Sequence, residues 1–177
     1  KLFGEKLNWR ATMDLMLARS VQETIGARGI PVPTFAINTN DHDQVVYLSR
    51  SACKWPLMPE NFAFFLMNKT GPEFYRFRRA FINLGGDYTL LNQKDEVVGW
   101  LDGRVLSLGG YWKGAVKVGD ADKRLLAVMK LFAGMVLFNG EARRHVKWLH
   151  REVQAGRIQP QVDRHEADLY MNPRRVR

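Results

Sequence analysis

The sequence predicts a single α+β domain over residues 1–177, in which antiparallel β-hairpins form a sheet, open or barrel-like, around a buried apolar helix, with further helices at both ends. The central helix is predicted at Leu125–Phe138, because apolar residues there cover nearly every direction of a helix. Two strand–turn–strand patterns, near residues 35–48 and 88–101, predict the hairpins. The length, with 46% hydrophobic and 25% charged residues, is ordinary for one globular domain.

The first segment, residues 1–30, is predicted to hold an N-terminal helix from about Asn8 to Ala27. We expect its apolar face to pack on the core, since the polar face mixes acidic and basic residues, which argues against a helix lying on a membrane surface. The apolar residues recur at spacings of three and four, as on one face of a helix: Trp9, Met13, Met16, Leu17, Val21 and Ile25.

The second segment, residues 31–118, is predicted to be mainly β with short helices. The first hairpin pairs Phe35–Ile37 with Val45–Leu48, and the second pairs Tyr88–Leu91 with Val97–Leu101. The two patterns are similar to each other, either through an ancient duplication or because hairpin sequences converge.

Two short elements are predicted between the hairpins. Residues 59–67 favour a buried helix or a buried strand. Thr70 begins a capping-box pattern that predicts a helix to about Leu84. Arginines alternate with aromatic residues in this helix, which suits either a core face beside solvated charges or stacking on single-stranded nucleic acid. The aromatic residues that would share one face are Phe74, Phe77 and Phe81.

Two strands at residues 103–108 and 111–118 are predicted to follow the second hairpin. Residues 121–155 then form a helical pair, in which Leu125–Phe138 precedes a second helix from about Glu141 to Ala155. The final segment, residues 156–177, is predicted to be a basic polar tail, wrapped on the domain or loose.

Positive charge is concentrated near the C-terminus. The chain carries a formal net charge of +9, and residues 121–177 contribute 12 − 6 = +6 of it. This charge predicts a non-enzymatic binding protein whose basic C-terminal face engages an anionic partner, with a phospholipid headgroup ahead of nucleic acid. A solvated helix face with no binding role remains the alternative. The predicted anion-binding residues are Arg143, Arg144, Lys147 and Arg151, with Arg174, Arg175 and Arg177 behind them.

Two other hypotheses remain open at this point. On the first hypothesis, the chain is a small-molecule enzyme or ligand-binding domain with a pocket between sheet and helix. The candidate pocket residues are Tyr88, Trp100 and Trp112. Otherwise it is a subunit that buries the basic face against a protein partner.

No motif predicts a cofactor, a metal ion or a set of catalytic residues. The chain has no Gly-rich phosphate loop and no His-Glu-x-x-His motif. Glu141 with His145, and the acidic and histidine residues of the tail, are weak metal candidates. Cys53 lies beside Lys54, which favours a reactive thiol, but a small half-buried side chain is the simpler interpretation.

The composition favours a cytoplasmic protein. One cysteine cannot form an intramolecular disulfide, which fits a reducing compartment. No apolar run approaches the length of about 18 residues that a transmembrane helix needs. The chain begins at Lys1 without an initiator Met, so we expect an N-terminal piece to be missing, cleaved or disordered.

One region resembles a known family. The run from Tyr88 through Val97-Val-Gly-Trp-Leu101 and Leu106-Ser-Leu108 to Trp112, with the apolar segment after Asp120, is similar to the repeated unit of LURP-one-related and tubby C-terminal-like proteins. The resemblance covers residues 88–138 and implies a β-barrel threaded by an apolar helix. It also implies a phospholipid-interacting or scramblase-like role without established catalysis. The chain departs from the family in its small number of predicted strands and in the basic helix after the apolar one.

Overall fold

The computed structural model describes residues 1–52, 58–80, 87–104, 111–117, 119, 122–159, 161–162 and 164–171. Within these residues it is a single mixed domain of one antiparallel sheet and four helices. The strands are β1 (Leu2–Phe3), β2 (Trp9–Leu15), β3 (Thr34–Thr39), β4 (Val46–Arg50), β5 (Asn61–Asn68), β6 (Gly71–Arg79), β7 (Tyr88–Asn92), β8 (Val97–Arg104) and β9 (Tyr111–Val116). The helices are α1 (Leu17–Gly26), α2 (Lys123–Val136), α3 (Asn139–Gln154) and α4 (Arg164–Met171).

The sheet is a meander in which every strand pairs antiparallel with the next one along the chain, from β1 to β9. No hydrogen-bonded pairing joins β1 to β9 among the described strands, so the sheet is open at both edges. The α+β class and the antiparallel sheet are therefore confirmed, whereas the barrel form is wrong. Helix α2 contacts β1, β2 and β3 near one edge and β8 near the other.

Helix α2 supplies the centre of the core. Phe132 is fully buried, and its ring stacks on Phe77 with the ring centroids 4.0 Å apart. It also meets Phe62 and Tyr88 edge-on, at 5.1 and 4.9 Å. One side of the helix is not covered, since Leu126 is 37% exposed. The prediction of a helix enclosed on every side is therefore wrong for that side. The Asp122 carboxylate caps the helix by accepting a hydrogen bond from the Arg124 backbone N–H at 2.7 Å.

The N-terminal helix is shorter than predicted, because the segment divides into a strand and a helix. Residues Trp9–Leu15 form β2, which pairs with β3, and Met13 lies opposite Ile37. Only Leu17–Gly26 is helical, and Asn8 therefore caps nothing. Met16, at the N-cap, has no side-chain oxygen with which to accept a hydrogen bond from the first turn.

The helix predicted from Thr70 to Leu84 is wrong in the part that is described. Asn61–Asn68 and Gly71–Arg79 are the two strands of a hairpin, so the strand interpretation of residues 59–67 is the correct one. Gly71 begins the second strand with a φ of +128°, a value that L-residues with a β-carbon rarely adopt.

Side chains of β6 alternate between the two faces of the sheet, whereas the predicted helix would have placed every third or fourth residue on one face. Tyr75 and Phe77 point into the core, whereas Phe74 is 53% exposed on the other face. Phe81 lies outside the described residues. Both predicted hairpins at β3–β4 and β7–β8 are present.

The C-terminal tail is partly helical and docked. Leu169 of α4 is buried against Met16 and Ala36. The Glu166 carboxylate accepts hydrogen bonds from the backbone N–H groups of Ala18 at 2.9 Å and Arg19 at 3.1 Å. Glu166 thus supplies the cap that α1 lacks locally. Arg174, Arg175 and Arg177 lie outside the described residues.

Candidate functional site

Helix α3 presents a row of cations to solvent. Arg144, Lys147 and Arg151 are all exposed, and their spacings of three and four place them on one side of the helix. The opposite side carries Val146 and His150, both buried. None of the three cations has a carboxylate within 4 Å in the part of the chain that the structure describes. We call Arg144, Lys147, Trp148 and Arg151 the α3 face.

Trp148 lies within this row and was missed at the sequence level. It follows Arg144 by four residues and precedes Arg151 by three, so the spacing alone could have placed it on the same side. The side chain is 49% exposed. The His145 ring stacks on it with the centroids 5.7 Å apart. An aromatic ring among cations therefore faces solvent.

More exposed apolar surface lies where α2 and α3 meet. Leu137 and Phe138, between the two helices, are 61% and 63% exposed. The helix rise places Trp148 about 15 Å from Phe138 along α3. Apolar side chains thus occur at the corner of the helical pair and again within the row of cations.

Two acidic residues of α3, Glu141 and Glu152, lie near the α3 face, but neither forms an ion pair with its cations in the described structure. Glu141 is exposed in the first turn of the helix. Glu152 is already paired, since Arg157 donates to both of its carboxylate oxygens at 2.6 and 2.7 Å. Those hydrogen bonds hold the pKa of Glu152 below its ordinary value of 4.5. The charge on Glu152 is thereby directed to Arg157 and not to Arg151.

Arg143 belongs to a different environment, although it was predicted with the others. It is half-buried, and its guanidinium lies 3.9 Å from the buried Glu60 carboxylate. The predicted set of four cations therefore divides into three exposed residues and one that points toward the interior.

Glu60 is the centre of a buried polar cluster that no sequence motif indicated. Its carboxylate forms a close ion pair with Arg50, and both residues are almost fully buried. It also accepts hydrogen bonds from the Tyr88 hydroxyl at 3.1 Å and the Asn139 amide at 3.0 Å. We call Arg50, Glu60, Tyr88, Asn139 and Arg143 the Glu60 cluster. Strands β4 and β7, helix α3 and the residue before β5 each contribute to it.

The electrostatics of the cluster keep Glu60 ionised and Tyr88 protonated. Burial raises the pKa of Glu60, but hydrogen bonds from Arg50 and Asn139, with the charges of Arg50 and Arg143, outweigh burial and leave that pKa below 4.5. Burial, with the neighbouring Glu60 carboxylate, raises the pKa of the Tyr88 hydroxyl well above 10.0. Tyr88 therefore stays protonated as a donor, and Glu60 stays ionised as an acceptor.

The Glu60 cluster links distant segments of the chain. The Arg50 guanidinium also donates to the backbone carbonyls of Pro31 at 3.0 Å and Ser51 at 3.3 Å, so it ties three chain segments together. Tyr88, one of the predicted pocket residues, is buried in this network and donates its hydroxyl hydrogen to Glu60.

A cavity does lie between sheet and helix, but it contains only one of the three predicted pocket residues. It has a volume of about 250 Å³ and lies between β8–β9 and α2, with Trp112 in its wall. Trp100 is 44% exposed and pairs with Thr89 and Ala115, which places it on the outer face of the sheet. Tyr88 is in the core. The structure therefore separates the predicted residues.

The weaker metal candidates do not form a site among the described residues, and Asp163 of the tail lies outside those residues. No group of three or more histidine, cysteine, aspartate or glutamate side chains is placed to hold a metal ion among the described residues. His145 stacks on Trp148, and His150 is buried. Cys53 falls outside the described range.

No single helix in the described parts of the chain is both long and apolar enough to cross a membrane. Helices α2 and α3 reach that length and apolar composition only when they are taken together, and the angle between them is 74°. Comparison of the sequence with protein-family models and curated proteins, and of the structure with solved structures, finds no match. The resemblance of residues 88–138 to LURP-one-related proteins therefore stays a prediction.

Proposed function

We propose that the protein is a non-enzymatic, peripheral binder of anionic phospholipid surfaces and that the α3 face makes the contact. The observation that supports this most directly is the exposed Trp148, flanked by three exposed cations that have no carboxylate partner in the described structure. Cations of this kind are attracted to the negative surface potential of anionic membranes, and tryptophan favours the headgroup level.

The exposed apolar residues favour a lipid surface over nucleic acid. Leu137, Phe138 and Trp148 are exposed apolar side chains, and their transfer from water to the boundary between lipid headgroups and acyl chains is favourable. Nucleic acid would use the cations equally well, but it would leave Leu137 and Phe138 exposed. A row of three cations contributes about 3 kcal/mol at a strongly anionic surface. Binding of this size is reversible and weakens as salt screens the charges.

Sedimentation with phosphatidylserine-containing vesicles tests the proposal. The wild-type chain should partition onto these vesicles, bind far less to phosphatidylcholine alone, and be released by salt. The variant with Arg144→Gln, Lys147→Gln and Arg151→Gln should bind about a hundredfold more weakly, since it loses about 3 kcal/mol of attraction. The single variant Trp148→Ala should also lower partitioning onto these vesicles, but the salt dependence of its binding should stay as in the wild type.

A matched control separates the α3 face from net charge. Lys94, Lys113 and Lys117 are exposed and lie outside α3, so Lys94→Gln, Lys113→Gln and Lys117→Gln together remove the same charge elsewhere. We expect this control to retain most of the binding. Equal losses in the two triple variants would contradict a specific face. Tight binding to oligonucleotides with none to vesicles would assign the face to nucleic acid.

A further inference from the structure

Two cavities adjoin along one strip of α2. The first, of about 300 Å³, lies between α2 and the N-terminal strands, and the second is the cavity of about 250 Å³ beside β8–β9. Leu126 and Lys130, one turn apart, line both cavities. From Lys123 to Ala133 the strip runs about 15 Å along the helix. The two volumes together fall in the range of about 300–1,000 Å³ that small-molecule sites occupy.

The first cavity is cationic. Arg10, Lys123, Arg124 and Lys130 line it, and Asp41 supplies the one carboxylate among the described residues of its wall. Arg124 is engaged, since it donates to Asp122 and to the Met67 carbonyl. Arg10, Lys123 and Lys130 have no ion-pair partner within the described portion of the chain. Three cations are thus available to a negatively charged group.

The second cavity is apolar. Its wall combines Leu101, Trp112 and Val116 of the sheet with Met129 and Ala133 of α2. Lys130 is the only charged residue among those that line it in the described structure. The ammonium group of Lys130 stands on a long aliphatic stem, which lets a lysine cover apolar surface and still reach an anion. The strip on α2 therefore has a cationic cavity at one end and an apolar cavity at the other.

We propose that this groove binds an amphiphile with one acyl chain and one anionic head. The head lies in the cavity lined by Arg10, Lys123 and Lys130, and the chain extends past Leu126 into the cavity beside Trp112. The chain covers Leu126, which the fold leaves exposed. The site is on α2 and is independent of the α3 face, so either proposal can fail without the other.

Matched twelve-carbon probes test the head and the chain separately. Titration calorimetry with dodecanoate and dodecyl phosphate, both kept below their micelle concentrations, should show one site per chain. Dodecanol lacks the charge and should bind at least tenfold more weakly, as should dodecyltrimethylammonium with the opposite charge. Butyrate keeps the charge without the chain and should not bind at the same concentrations. The stronger of the two anionic probes then identifies a carboxylate or a phosphate head.

Two variants place the ligand in the groove. Lys130→Glu reverses the charge of an exposed side chain and should weaken dodecanoate binding at least tenfold. Ala133→Phe fills the apolar cavity and should also abolish binding; the Lys130 variant decides the question if the Ala133 variant does not fold. Lys94→Glu, in the turn between β7 and β8, is the control and should bind as the wild type does. Absence of binding by both anionic probes, equal binding of dodecanol, or unchanged binding in Lys130→Glu would each overturn the proposal.

Discussion

Arg143 and Arg144 are neighbours in the sequence, yet they belong to two different parts of the molecule. Arg143 belongs to the Glu60 cluster, in which the buried Glu60 carboxylate meets two guanidinium groups, one tyrosine hydroxyl and one asparagine amide. Arg144 belongs to the α3 face, where no carboxylate of the described structure meets the cations. One helix thus carries a cation that serves the interior beside cations that face solvent.

Adjacent cations in a sequence therefore do not share one role merely because they are adjacent. A helix turns through about 100° per residue, so adjacent cations point in different directions. The partners of each cation then decide what it does. Removal of one member of a buried pair leaves the other charge uncompensated and destabilises the fold, whereas exposed cations contribute little to stability and are free to bind. Variants that act on one region and not the other test this division.

The largest effect is expected from the centre of the Glu60 cluster. Glu60→Gln removes the negative charge and leaves the Arg50 guanidinium buried without its counter-ion. We expect a loss of about 3–5 kcal/mol in the free energy of unfolding, measured by urea denaturation. The double variant Arg50→Met with Glu60→Gln removes both charges and should recover part of the loss. A single variant as stable as the wild type would show that the pair is not a determinant of the fold.

The pH dependence of stability gives a second, smaller effect. Because the pKa of Glu60 is lowered in the folded state, its stabilising contribution is fully present above the ordinary pKa of 4.5 and is lost as pH falls through the folded-state value. Thermal melts from neutral pH to below pH 4.5 should therefore show the wild type losing more stability than Glu60→Gln. A gap between the two proteins that stays constant over that range would be inconsistent with an ionised Glu60.

The smallest effect comes from a matched pair of neighbours. Arg143→Gln removes a half-exposed ion pair and should cost up to about 1 kcal/mol of stability, with little change in vesicle binding. Arg144→Gln should leave stability within about 0.5 kcal/mol and weaken vesicle binding about fivefold. Denaturation and vesicle sedimentation on both variants measure the two quantities. If both variants changed the same quantity, the division between interior and face would not hold.

The elements that could be predicted from sequence are those specified by local patterns. Helix α2 follows from a dense apolar run, and the two hairpins follow from alternation across turn residues. Strands β2 and β6 could not be separated from helices in the same way. Phe74 and Phe77 suit a helix face as well as an aromatic strand, and only pairing with β5 places them on opposite sides of a sheet.

The Glu60 cluster could not be predicted because its members come from distant parts of the chain. One local signal was nevertheless available. Val46, Leu48 and Arg50 alternate along β4, so the strand period places Arg50 on the same buried face as the two apolar residues. A charged residue at such a position requires a buried partner. The sequence does not show that the partner is Glu60, since only the assembled sheet brings the two together.

The contact between Glu166 and the first turn of α1 also bears on how the chain folds during synthesis. Neighbouring strands of the meander follow one another in the sequence, so each can pair soon after it emerges. The cap of helix α1 comes instead from a carboxylate that lies 148 residues beyond Ala18. On the ribosome, its first backbone N–H groups stay hydrated until residue 166 has been added. The first turn of α1 therefore acquires its cap only after most of this sequence has been made.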